Sequence, residues 1–266
     1  MAFDMSACAV PHYDLRLARD GYAYKESEFE EWYPSEWREE WKLAKELPVT
    51  HSLPHGLKLG KVEKTLVESV LQELSPYIPK KEERSPHRRT AVEFGWTYEG
   101  SYDAEPGWSD TSVPKAKAAL PLSGFPQLRD MVSGVMNMLD ISKPVDEHRL
   151  NVRCLLYSAG NYIPLHTDRP HIYRDVVFGC VLFNSSDSVL EFHATDFCGR
   201  PMRRYMIHEE VGCCFLQQDD ARYSWKHGVP PLSRGERISV TWRWFLDTVE
   251  LEQRHDSSLP GNFSSV

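Results

Sequence analysis

"RISVTWRWF", residues 237–245, alternates along its length: Arg237, Ser239, Thr241 and Arg243 fall at odd positions, and Ile238, Val240 and Trp242 at even ones. On a strand the side-chain period is two, so the four polar groups share one face and the apolar groups the other. An ordinary half-exposed strand would read this way. So would a strand whose polar face lines a polar interior, where a bidentate Arg clamp on a small dicarboxylate would sit.

Working outward, everything from about residue 150 has the same character: "RLNVRCLLY" (149–157), "VVFGCVLF" (176–183), "VLEFH" (189–193), "RRYMI" (203–207) and "GCCFLQ" (212–217). Short β-type runs separated by turn residues, with no helices between them, predict an antiparallel sandwich or barrel of the jelly-roll kind. Upstream, the period changes to that of helices. "KVEKTLVESVLQELSPYI" (61–78) repeats Val62, Leu66, Val70 and Leu74, and "FPQLRDMVSGVMNMLD" (125–140) repeats Leu128, Val132, Val135 and Leu139. "SEWREEWKLAKEL" (35–47) predicts an amphipathic helix with Ser35 as N-cap and Trp37, Trp41 and Ala44 on one face. Residues 91–120 are aromatic, turn-rich and weakly periodic. The expected class is therefore α+β: a double-stranded β-helix core flanked by N-terminal helices. Residues 1–60 are expected to form a helical extension, 61–250 the main domain and 251–266 a flexible tail.

Composition narrows the function classes. A formal charge of −8 argues against a protein that coats nucleic acid by neutralising phosphates broadly. One basic run, "KKEERSPHRR" (80–89), reads first as a solvated loop. The cysteines Cys8, Cys154, Cys180, Cys198, Cys213 and Cys214 lack zinc-ligand spacing, and most lie in apolar runs, which suits reduced thiols of an intracellular, nuclear or cytoplasmic, protein. Neither a secretion signal nor a membrane partner is expected.

Chemistry concentrates in two further segments. In "YIPLHTDRP" (162–170), His166 and Asp168 are two residues apart and point to one side of an extended chain; in "ARYSWKHGVPP" (221–231), His227 ends another strand. Two imidazoles and a carboxylate form the facial ligand set of non-haem Fe(II) sites, which leaves coordination positions open. The His-x-Asp pair alone would mean little, since such pairs arise by chance on surfaces.

The order His-x-Asp, His some sixty residues on, then Arg ten residues later resembles the AlkB-like family of 2-oxoglutarate and Fe(II)-dependent dioxygenases. "LLYSAGNYIPLHTD" (155–168), "DARYSWKHGVPP" (220–231) and the Arg-x5-Arg of "RISVTWR" carry the resemblance, over roughly residues 91–247. It implies that His166, Asp168 and His227 hold iron, and that Arg237 binds the distal carboxylate of 2-oxoglutarate. Tyr157 and Ser239 would assist, and Arg243 would contact Asp168 or the keto-acid end. The implied cofactors are Fe(II), 2-oxoglutarate and O2, and the implied reaction is C–H hydroxylation, which on an N-methyl group ends in demethylation.

The family's substrate lid resembles "EFGWTYEGSY" (93–102), where Trp96 and Tyr102 would contact a modified nucleobase in DNA or RNA. The competing reading is that Phe94, Trp96 and Tyr98 alternate on a half-buried strand. Two positions depart from the family. Leu155 stands where an Asn often contacts the cosubstrate, and "RPH" (169–171) stands where acidic residues adjoin the target base. His171, His193 and His208 match no family position. A protein side chain or small molecule as substrate, and a non-catalytic jelly-roll binding module, are the alternatives.

Overall fold

The computed structural model describes residues 16–17, 23–24, 30, 35–46, 50–80, 83–84, 89–98, 115–141, 147–195, 201–252 and 264–265. Near the N-terminus, β1 (Arg16–Leu17), β2 (Ala23–Tyr24) and β3 (Lys45–Glu46) form a small antiparallel sheet, with helix α1 (Trp37–Leu43) preceding β3. There follow β4 (Leu57–Lys61), α2 (Lys64–Leu74), β5 (Thr90–Tyr98), β6 (Lys115–Ala118) and α3 (Pro126–Met138). The next eight strands are β7 (Leu150–Ser158), β8 (Ile163–His166), β9 (Tyr173–Asn184), β10 (Val189–Thr195), β11 (Pro201–His208), β12 (Cys213–Gln217), β13 (Trp225–Val229) and β14 (Glu236–Phe245). A short helix, α4 (Asp219–Tyr223), links β12 to β13, and β15 (Glu250–Glu252) and β16 (Ser264–Ser265) close the order.

Strands β7 to β14 divide between two sheets. The large one contains the run β7-β14-β9-β12, and the small one has the order β11-β10-β13-β8. Apart from the β10–β11 hairpin, consecutive strands therefore cross from sheet to sheet, the topology of a jelly roll. Each sheet gives one face to the space between them, where Leu155, Tyr157 and Phe215 meet Leu190, Phe192, Trp225 and Val229. The other face of the large sheet carries α2 and α3. There Val67, Val70, Leu128, Val132 and Val135 pack on Val152, Cys154, Phe178, Cys180, Val240 and Trp242. This is why β7 and β14 are buried almost throughout: one set of alternate residues meets helices, the other meets the opposing sheet.

Several boundaries differ from the sequence expectation, most for a local reason. The 61–78 helix shortens to α2, because Lys61 ends β4, which pairs with β12 on the large sheet, and Pro76 lies in the 3-10 turn Ser75–Tyr77 that follows. The predicted domain boundary at residue 60 thus falls inside a core-sheet strand. In α1, Glu36 rather than Ser35 occupies the N-cap, without a side-chain cap bond. The weakly periodic 91–120 stretch contains β5 and β6. β5 keeps a period of two through Phe94 and Trp96, as the half-buried-strand reading of this stretch expected, and approaches β7 closely at Gly95, at φ +72° and so near that a Cβ would lie 2.2 Å from the Leu150 carbonyl oxygen. In the expected tail, Glu250–Glu252 pairs parallel to β6 and Ser264–Ser265 pairs with β5.

Cys154, Cys180 and Cys214 are buried free thiols and Cys213 is half-buried; burial pushes the Cys154 thiol up to about 12. Cys8 and Cys198 lie outside the described residues. No helix among the described residues is long and apolar enough to cross a membrane.

Trp242 is fully buried and stacks on Phe178 at 4.9 Å between ring centroids. Trp242→Ala should therefore lower unfolding free energy by about 3–5 kcal/mol in urea titrations. Leu59→Ala on β4, where the side chain is 40% exposed, should change it by no more than roughly 0.5 kcal/mol.

Candidate metal centre

The two histidines meet because their strands do. β8 and β13 are antiparallel neighbours in the small sheet, and His227 is the register partner of His166. Directly opposed residues on such a pair share one face, and the two imidazole centroids lie 4.5 Å apart. Asp168, two residues past His166, points the same way. One ligand atom from each of the three lies within 4.8 Å of the other two.

Hydrogen bonds decide which atoms are offered. His166 Nδ1 lies 2.9 Å from the Pro164 carbonyl and donates to it, which leaves Nε2 as the lone-pair nitrogen. His227 Nε2 is 3.8 Å from Asp168 Oδ2 and 3.4 Å from Gln217 Nε2. His227 Nδ1 is buried without a hydrogen-bond partner among the described residues. Asp168 is held twice: Arg243 Nη1 donates to its Oδ1 at 2.8 Å, and Arg222 Nη1 donates to its backbone carbonyl at 2.6 Å. Arg243 is itself fixed, donating from Nη2 to Asn151 Oδ1 at 3.0 Å and lying over the Tyr173 ring at 4.5 Å.

These placements set the protonation states. Burial resists the charge on Asp168, but the Arg243 guanidinium, helped by both imidazoles, holds its carboxyl well below the usual carboxylate range. Burial pushes His227 down from its ordinary 6.5 to about 3, aided by His166 and opposed by Asp168. Burial lowers His166 as well. At neutral pH the cluster is one carboxylate and two neutral imidazoles, the state in which all three can donate lone pairs to a metal.

The polar face of β14 opens on the same cavity. Arg237, Ser239, Thr241 and Arg243 line it together with Tyr157, His166, Asp168 and His227. The apolar part of the wall includes Leu155, Ile163, Val177, Leu190 and Val229. Tyr157 is the register partner of Arg237 on β7, and its hydroxyl is buried with no hydrogen-bond partner among the described residues. Arg237 lies over the Tyr157 ring at 4.9 Å and donates from Nη1 to Ser239 Oγ at 2.7 Å. Burial disfavours its charge, yet the Glu209 carboxylate beside it raises its pKa.

Trp96 stands elsewhere. It is 9% exposed, packs with Ala116, Ile172, Tyr173, Phe245 and Val249, and is not part of the cavity wall. Its backbone carbonyl accepts a hydrogen bond from Asn151 Nδ2 at 2.6 Å, and it packs with Tyr173, so it adjoins the site through residues that hold Arg243. Tyr102 lies outside the described residues. His193 is buried against Glu191 at 2.9 Å, whereas His171 and His208 are exposed.

Several site residues escaped the sequence reading. Asn151 and Arg153 precede Tyr157 by six and four residues, so the polar-inside alternation seen in β14 was also present in "NVRCLLY". Glu209 follows buried Ile207 by two, the same period. Arg89, at the end of the basic run, lines the cavity and donates to the Tyr162 carbonyl at 3.1 Å, unlike a solvated loop residue. Arg222 and Gln217 carried no signal that separates them from surface residues.

Residues 14–45 match a family described as Domain of unknown function (DUF8284). Over 133 residues, 46% of the chain, the sequence is 26% identical to Uncharacterized protein L905 of Acanthamoeba polyphaga mimivirus, and it spans 60% of that relative's length. Among solved structures, a Pseudomonas putida prolyl-4-hydroxylase is similar at a TM-score of 0.43 and 16% identity, covering 72% of this chain and 93% of that one. The fold assignment rests on the strand order, not on that overlap.

Because folded His227 protonates near 3 rather than 6.5, the unfolded chain binds a proton between those values that the folded, metal-free chain does not. The stability that this group contributes is then fully present above pH 6.5 and falls as pH drops toward 3, by up to about 1.4 kcal/mol per pH unit. Urea unfolding of metal-free protein from pH 7 to 4.5 should show this slope, and His227→Gln should flatten it. Equal slopes in the two proteins would contradict the assignment.

Proposed function

We propose that this chain is a 2-oxoglutarate- and Fe(II)-dependent dioxygenase. One observation carries the reading: two neutral imidazoles and an ionised carboxylate converge at one wall of a partly open cavity whose neighbouring wall bears Arg237, Ser239 and Tyr157. The residues fit the groups. Two nitrogens and one carboxylate oxygen on one side suit Fe(II) with open positions. A buried guanidinium beside an unpartnered phenol suits a ligand carboxylate.

His166, Asp168 and His227 would hold the iron, and Arg237, Tyr157 and Ser239 the far carboxylate of 2-oxoglutarate. When bound, the metal and keto acid supply the chemistry: one oxygen atom of O2 ends in succinate, with CO2 released, and the other in a hydroxyl on a substrate C–H. The chain's own work is positional. Arg243 keeps Asp168 ionised and fixed, the Pro164 carbonyl keeps the proton of His166 on Nδ1, and Leu155, Ile163, Val177 and Leu190 keep water from the cosubstrate. A non-catalytic module would have no use for a buried ligand set braced by two arginines.

For the substrate, a modified nucleobase in DNA or RNA is the class that the AlkB resemblance implies, and a protein side chain or small molecule is the alternative. Base recognition calls for an aromatic surface facing the iron. Trp96 packs in the core instead, so a nucleobase would have to stack elsewhere.

Succinate formation should require Fe(II) and 2-oxoglutarate and vanish in His166→Ala and Asp168→Ala. Arg237→Lys keeps the charge but loses the fork; it should raise the KM for 2-oxoglutarate about tenfold or more, a loss of roughly 1.4 kcal/mol, with a smaller change in kcat. Succinate release stimulated by a methylated oligonucleotide, and not by a methylated peptide, would select the nucleobase class. The reverse would select a protein substrate. A fully active His166→Ala protein would refute the reading.

A further inference from the structure

Arg237 is engaged by the chain's own side chains. Glu209, one residue beyond the end of β11, has a side chain only 1% exposed. Arg237 Nε donates to its Oε2 at 2.6 Å, and Nη2 donates to its Oε1. With Nη1 donating to Ser239, three of the five N–H groups of the guanidinium are committed and one remains on each terminal nitrogen. Two such donors can grip a carboxylate side by side. Glu209 is not part of the cavity wall, whereas Arg237, Ser239 and Tyr157 are. It therefore holds the arginine from behind. The sheet fixes this arrangement, since Asn184, the β9 partner of Arg237, donates from Nδ2 to the Glu209 backbone carbonyl.

The consequence is electrostatic. Arg237 and Glu209 together are neutral, so a ligand carboxylate would meet two donors and, on the adjoining edge of the same planar group, a fixed negative charge. Burial keeps bulk salt from screening that repulsion. Removing the charge as Glu209→Gln has two opposing effects. The guanidinium loses one acceptor, but the Gln oxygen still offers another, and Ser239 and the Tyr157 ring still confine it. The repulsion disappears altogether, so the net effect is tighter binding.

We propose that Glu209 is a specificity-determining residue of the cosubstrate pocket. As a built-in counter-charge to Arg237 it weakens the grip on the second carboxylate of 2-oxoglutarate, making the site a low-affinity reader of that diacid and tolerant of 2-oxo acids that lack it. This rests on the oxygenase reading above.

The test is anaerobic titration of the Fe(II)-loaded full chain with 2-oxoglutarate and with 2-oxopentanoate, a 2-oxo acid of equal length without the second carboxylate, followed by charge-transfer absorption. Glu209→Gln should tighten 2-oxoglutarate about tenfold, equivalent to roughly 1.4 kcal/mol, and leave 2-oxopentanoate nearly unchanged. Glu209→Asp, which keeps the charge, should retain the wild-type ratio of the two affinities. If the Gln variant does not fold, Glu209→Ala carries the same comparison. An unchanged or weakened preference for the diacid in the neutral variant would overturn the proposal and leave Glu209 as a brace for Arg237. A wild-type protein that binds neither acid would instead sink the oxygenase reading, a result distinguishable from the first.

Discussion

On β7 and β14, Arg153, Arg237 and Arg243 face inward between the sheets of this jelly roll, and each is paired with a carboxylate. Arg243 has Asp168, Arg237 has Glu209, and Arg153 has Glu93 at 2.8 Å. A buried charge without a partner costs several kcal/mol, and even a paired one rarely gains stability over apolar packing. The interior of β7 and β14 is thus expensive to maintain. A fold chosen for stability alone would fill it with Leu and Val, as it does on the helix-covered face of the same strands.

The Asp168–Arg243 pair ties the two sheets to one another at the candidate metal centre. Arg243 belongs to the large sheet and is braced by Asn151 on β7, while Asp168 extends β8 of the small sheet. His227 comes from β13, held in register with His166 by the small-sheet ladder. The two imidazoles are therefore placed by which strands neighbour each other, Asp168 follows two residues beyond the end of β8, and the Arg243 guanidinium keeps its carboxyl ionised.

Much of this was legible in the sequence because period-two alternation survives wherever both faces of a strand are buried against different things. "RISVTWR" showed its polar face, and the ladder put all four of those side chains on the cavity wall. The two long helical patterns also appear as helices, slightly trimmed. What stayed hidden has physical causes. The alternation of Phe94 and Trp96 in β5 reads equally as a half-buried strand and as a lid, and only the packing of Trp96 with Tyr173 and Phe245 separates the two. The β4–β12 pairing joins residues about 155 apart in sequence, and no local pattern announces that contact. Glu209 reads as one of two acidic residues at a strand end; the partner it finds on the opposing sheet makes it part of the site.

The most direct measurement is iron-edge X-ray absorption, with anomalous diffraction, on anaerobically prepared Fe(II) protein. One iron per chain is expected, bound by His166, His227 and the carboxylate of Asp168 at about 2.0–2.2 Å, the range of imidazole and carboxylate bonds to a divalent metal of similar size, with Arg243 still on the outer carboxylate oxygen. Iron bound at other residues, or a folded protein that takes up none, would contradict the account.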